Sequence, residues 1–212
     1  MRDNHQDSEL VISSDNGKDF SEVAKCRGAL TYIHGRLKHG YPFDEKRYGW
    51  TSEKAFIWLE RVYLACLKIQ STYVMLMEED VLIRSSFTFP ESDLIMIPEI
   101  KNPISSAGME WIFSRGGNTE YPYYSSGGGS IINREKFIYC YEKNSKSFFD
   151  KFEEIYLKSM EEGKTGWGWN DSIICVLMFS GGSTFSTNLP ITENGLDEDP
   201  FPIIHKFKKY YE

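Results

Sequence analysis

The sequence predicts an α/β fold, with a mixed, mostly parallel central sheet flanked by helices. Short apolar runs at residues 9–14, 73–77 and 94–98 have the length and content of strands. Segments 19–39, 51–69 and 135–161 carry apolar residues at helical spacing. Tyr73, Val74, Met75, Leu76 and Met77 are apolar throughout, which suits a strand buried on both faces, and they lead without a break into Glu78, Glu79 and Asp80. Acids at the C-terminal end of such a strand sit where α/β sheets bind ligands. Three adjacent carboxylates repel one another unless positive charge lies among them. A hard divalent cation with oxygen ligands meets that need; a solvated turn is the plainer use of the same acids.

At 212 residues the chain is long enough for one sizeable core, and a single domain is expected. The formal net charge of −7 disfavours a nucleic-acid partner but leaves room for an anionic nucleotide held by a metal and a few lysines. Cys26, Cys66, Cys140 and Cys175 form no CxxC pair, and reduced, buried thiols in an intracellular protein are expected. The polar start has no signal-peptide pattern, and no apolar run approaches the roughly 20 residues of a membrane span, so a cytoplasmic location is expected.

Taken in order, residues 9–14 form the first strand and Asp15-Asn16-Gly17 turns the chain. Ser13 and Asp15 fall where the first βα loop of a nucleotide-binding half would be. Asp15 faces a base or ribose there, or is only a turn former. Residues 19–39 read as mostly helical through Phe20, Val23, Ala24, Leu30, Ile33 and Leu37. Thr51 or Ser52 caps the next helix, whose stripe includes Phe56, Leu59, Val62, Cys66 and Ile69. Arg61 lies on that helix, where a surface salt bridge to a neighbouring Glu is the plainer role. Residues 99–124 are expected as loops near an acceptor site.

Gly127, Gly128 and Gly129 come shortly before Ile131 and Ile132, and glycines there allow positive φ and close backbone approach to a ligand. A long amphipathic helix follows over 135–161. Trp167, Trp169, Asn170 and Asp171 then open a further helix over 173–179. Rigid indole planes beside an acid suit sugar binding, while an N-cap is the competing role for Asp171. Near the end, His205 follows Ile203 and Ile204 and precedes Lys206, Lys208 and Lys209. A neutral imidazole can ligate a metal, and a lysine can offset phosphate charge.

These stretches together resemble nucleotide-sugar glycosyltransferases of the GT-A fold, a Rossmann-like architecture. Glu78-Glu79-Asp80 is similar to their DxD motif, and Gly127-Gly128 to their glycine-rich donor-sugar segment. Residues 166–171 resemble the Gly-Trp-Gly-x-Glu-Asp segment of β-1,4-galactosyltransferases, with Asn170 replacing the Glu. At finer grain the chain resembles glycosyltransferase domains that chlorella viruses encode for capsid-protein glycans. The resemblance implies a Mn2+- or Mg2+-dependent enzyme in which Glu78, Asp80 and His205 hold the metal. Ser13, Asp15, Arg61, Glu79, Lys206 and Lys208 would bind the nucleotide and its diphosphate. Gly127, Gly128, Trp167, Trp169 and Asn170 would line the donor-sugar and acceptor pocket. Asp171 would be the base in an inverting enzyme, or would bind a donor-sugar hydroxyl in a retaining one. Also implied are a UDP-sugar donor carrying a hexose or 6-deoxyhexose such as glucose or rhamnose, and a glycan or glycoprotein acceptor. The nucleotide half would span about residues 1–100 and the sugar half about 101–212 of a single catalytic domain, part of a longer protein working in host cytoplasm.

Two rivals are weaker. A sugar nucleotidyltransferase should carry a glycine-rich loop with Arg and Lys after its first strand, and residues 13–17 lack one. A carbohydrate- or nucleotide-binding module without turnover would keep the tryptophans and glycines but has no use for His205 together with the acids.

Overall fold

A computed structural model describes residues 8–14, 19–33, 52–77, 81–98, 124–125, 129–162, 169–193 and 200–205. The first half contains β1 (Val11–Ser13), α1 (Ser21–Cys26), β2 (Thr31–Ile33), α2 (Ser52–Cys66), β3 (Tyr73–Met75), β4 (Leu82–Ile83), β5 (Leu94–Ile95) and β6 (Ile97–Pro98). The second contains β7 (Tyr124–Ser125), β8 (Ile131–Asn133), α3 (Arg134–Glu161), α4 (Trp169–Ser180), β9 (Phe185–Ser186), β10 (Ile191–Glu193) and β11 (Ile203–His205). This is a mixed α/β fold.

The central sheet has the order β3-β8-β5-β9, beside a sheet β10-β11-β4 and the pairs β1-β2 and β6-β7. Strand β8 runs antiparallel to both its neighbours, while β5 and β9 are parallel. Among the described residues four of the seven strand pairings are antiparallel, so the sheet is mixed without being mostly parallel. A short run buried on both faces reads the same in either direction, which is why strand direction was not legible in the apolar pattern.

The expected helix over 19–39 is much shorter. It ends at Cys26, where Gly28 adopts φ +62 and Ala29 N–H returns to the Ala24 carbonyl, a left-handed cap. Leu30 and Ile33, which fit a helical stripe, belong to or adjoin a strand. Thr31, Tyr32 and Ile33 are β-branched and aromatic, and they extend beside β1 in parallel. The run 94–98 also divides: Met96 is fully buried between β5 and β6, and β6 leaves the central sheet to pair with β7.

Helix α4 is the centre of the core. Ile173 through Phe179 are each no more than 3% exposed. A helix apolar on every side must be covered on every side. Helices α2 and α3 and the face of the sheet bearing Val74, Leu94 and Ile132 do so. The opposite face of the same strands carries Ile95 and Ile131, which join Leu189 and Ile203 in a second, smaller cluster. The alternation of Leu94 with Ile95 and of Ile132 with Ile131 is the two-residue pleat of a sheet covered on both sides. No cysteine is disulfide-bonded; Cys66, Cys140 and Cys175 are buried as expected, and burial pushes the Cys66 thiol up to about 12. Cys26 is exposed, against expectation. Among the described residues no helix is long and apolar enough to cross a membrane.

Two local contacts set the ends of these elements. Helix α4 stops where Gly182 adopts φ +71 and Ser183 N–H bonds to the Met178 carbonyl. The backbone there lies so close to α3 that a Cβ on Gly181 would sit 2.2 Å from Cys140 Sγ. Ahead of β1, one Glu9 carboxylate oxygen accepts hydrogen bonds from Gln70 N (2.8 Å), Ser71 N (2.7 Å) and Ser71 Oγ (2.6 Å). The approaches to β1 and β3 are thereby tied together. The Ser71 hydroxyl, followed by the two backbone donors, holds the Glu9 carboxyl below its ordinary value of 4.5.

Two outcomes are expected. Gly181→Ala should destabilise the protein by about 2 kcal/mol in denaturant unfolding, and adding Cys140→Ala should restore most of the loss. A folded-state carboxyl pKa below the unfolded one stabilises above about 4.5 and loses that contribution as pH falls through the folded value. Glu9→Gln should therefore melt a few degrees lower than wild type at pH 7, with the gap closing at pH 3.

Candidate functional site

The acids at 78–80 lie outside the described residues, but both of their flanks are described. Strand β3 carries them at its C-terminal end, through Leu76 and Met77. It pairs antiparallel with β8 in the register Tyr73↔Asn133, Val74↔Ile132, Met75↔Ile131. The ladder continues with Leu76 N–H donating to the Ser130 carbonyl at 2.8 Å. The exit of β3 therefore runs beside the entry to β8, which is where Gly129 lies.

Gly129 shows what that approach requires. Its φ is +125, a conformation L side chains rarely adopt. A Cβ there would stand 2.9 Å from Ile191 Cδ1, 3.6 Å from Met75 Cε and 4.0 Å from Ile203 Cγ2. The glycine thus sits where β3, β10 and β11 meet.

On the other side of the acids, Val81 leads into β4. Strand β11 pairs with β4 antiparallel, Ile203↔Ile83 and Ile204↔Leu82, and Arg84 N–H bonds to the Pro202 carbonyl at 2.8 Å. The next residues along these two strands are His205 and Val81. The described residues on either side of positions 78–80 therefore adjoin two different strands, Leu76 at the entry to β8 and Leu82 against β11. Val81 and Met75 both pack on the small core containing Ile131 and Ile203, which joins the two flanks.

The first strand supplies a separate corner. Ser13 ends β1 and is exposed. Ser14, next to it, is buried at 4% exposure and donates its N–H to the Ile33 carbonyl at 3.0 Å. Arg61 is buried in α2 rather than on the surface, and its Nη1 donates to the Ser14 carbonyl. A salt bridge on the protein surface is thus not its setting. Helix α4 starts at Trp169, so Asp171 falls within its first turn instead of at the cap. A carboxylate in a first turn is favoured by the helix dipole whatever else it does.

Ser13, Arg61, Trp169, Asn170, Asp171 and His205 therefore have described backbone positions. Asp15, Glu78, Glu79, Asp80, Gly127, Gly128, Trp167, Lys206 and Lys208 lie outside the described residues, as do His205's own side-chain contacts. Among the described residues no three His, Cys, Asp or Glu side chains gather into a metal site. Two residues of this corner escaped the sequence reading. Ser14 had no chemical signature, and Tyr32 was placed in a helix although Thr31-Tyr32-Ile33 has strand composition.

No family model matches the chain, and no curated protein sequence does. A solved structure of galactosyltransferase LgtC in complex with donor and acceptor sugar analogs is similar over 93% of this chain and 86% of its own. The two are 14% identical with a TM-score of 0.46, a likeness too shallow to decide either fold family or chemistry.

The packing at Gly129 yields its own expectation. Gly129→Ala should cost about 2 kcal/mol in denaturant unfolding. Adding Ile191→Ala should recover only part of that, because it relieves the 2.9 Å overlap and leaves the backbone strain.

Proposed function

We propose that the chain is a metal-dependent glycosyltransferase that moves a hexosyl or deoxyhexosyl group from a UDP-sugar to a glycan acceptor. One observation supports the reading: the described residues before position 78 follow β3, paired with the strand after Gly129, and those after position 80 enter β4, paired with the strand that ends at His205. These strands are far apart in sequence, and the pairings bring their described ends together. A solvated acidic turn has no need of such neighbours.

The donor set suits a hard or borderline divalent ion, Mn2+ or Mg2+: carboxylates from Glu78 and Asp80 with an imidazole from His205. When bound, the metal would neutralise charge on the departing diphosphate. The chain's own residues do the rest. Ser13, Asp15 and Glu79 hold the nucleotide, and Lys206 and Lys208 offset phosphate charge. Gly127 and Gly128 let the backbone approach the donor sugar, and Trp167, Trp169 and Asn170 orient sugar and acceptor. The acceptor oxygen bonds to C1 of the sugar as the bond from C1 to the phosphate oxygen breaks, and UDP leaves. Holding the acceptor beside C1 is largely a positioning effect. In an inverting reaction Asp171 takes the acceptor hydroxyl proton. In a retaining one it binds a donor-sugar hydroxyl instead. A viral capsid glycan as acceptor and the host cytoplasm as location belong to this proposal, and they rest on the sequence resemblance.

The test is thermal stabilisation by UDP and a panel of UDP-sugars, each with and without Mn2+. UDP should raise the melting temperature only with Mn2+, and one UDP-sugar should raise it most. Asp80→Asn and His205→Ala should each remove the metal-dependent part. Asp171→Asn should cut turnover at least a hundredfold while leaving the UDP shift intact. Failure of every nucleotide to stabilise the protein, with or without metal, would overturn the reading.

A further inference from the structure

We draw no further inference here: the strongest candidate, the aromatic surface patch over the small core, where the half-buried rings of Tyr73, Phe87 and Phe89 pack together and Phe201 is exposed just ahead of β11, carries nothing because no observation in the structure shows what covers it.

Discussion

Helix α4 sets the terms for the rest of the molecule. Seven consecutive residues, Ile173 to Phe179, are buried with no polar face among them. Such a helix is not stable on a surface, so everything large must close over it. Helix α2 contributes Leu59, Val62 and Cys66, helix α3 contributes Phe137, Cys140, Phe148 and Ile155, and the sheet contributes Val74, Leu94 and Ile132. At about 25 cal/mol per Å2 of apolar surface, burying side chains of this size favours the folded state by about 2 kcal/mol each before entropy is counted. The start of α4 is also the stretch that carries Trp169, Asn170 and Asp171. Residues proposed to meet sugar are thus attached to a helix that is buried throughout Ile173–Phe179.

The small core on the far side of the sheet has a different task. Ile95, Ile131, Leu189 and Ile203 are few, and they come from four separate segments. What they join is the central sheet to the β10-β11-β4 sheet. Gly129 marks how tight that joint is, since Met75, Ile191 and Ile203 all stand within 4.0 Å of a Cβ that is not there. Any larger residue would push β3 away from β11. The glycine has a packing reason here that holds whatever ligand the neighbouring residues take.

How far the sequence could be read depends on what each signal measures. The helices at 134–161 and 169–180 were legible because burial of one face, or of all faces, leaves a long periodic trace. Strand positions were legible for the same reason at Val74, Leu94 and Ile132. Strand partners were not, because pairing is decided between segments and a buried β-branched run carries no mark of direction. Thr31–Ile33 was misread for a related reason: Leu30 and Ile33 lie three apart, which fits a helix turn as well as two ends of a strand. Of the site, chemistry was legible and architecture was not. Acids, glycines and a late histidine announce themselves by type. Ser14, Tyr32 and the inward turn of Arg61 act through hydrogen bonds to backbone and hydroxyl groups, which leave no compositional trace.

The region proposed as the active site is assembled from strands whose sequence separations exceed anything local folding can supply. β3 meets β8, and β11 meets β4. Loop-closure entropy must be overcome before either pairing is rewarded, so these contacts form late relative to the helices. The two joints rest on different cores: Val74 and Ile132 of the β3–β8 pair lie in the large one, and Ile203 of β11 lies in the small one. Ile83, Ile203 and Ile204 are all buried where β11 meets β4. A cation held by the proposed ligands Glu78, Asp80 and His205 would link the residues that follow β3 to the end of β11 and cancel the mutual repulsion of the carboxylates. Binding free energy and the free energy of closing the junction would then be one quantity, seen as stabilisation by metal and as affinity for it.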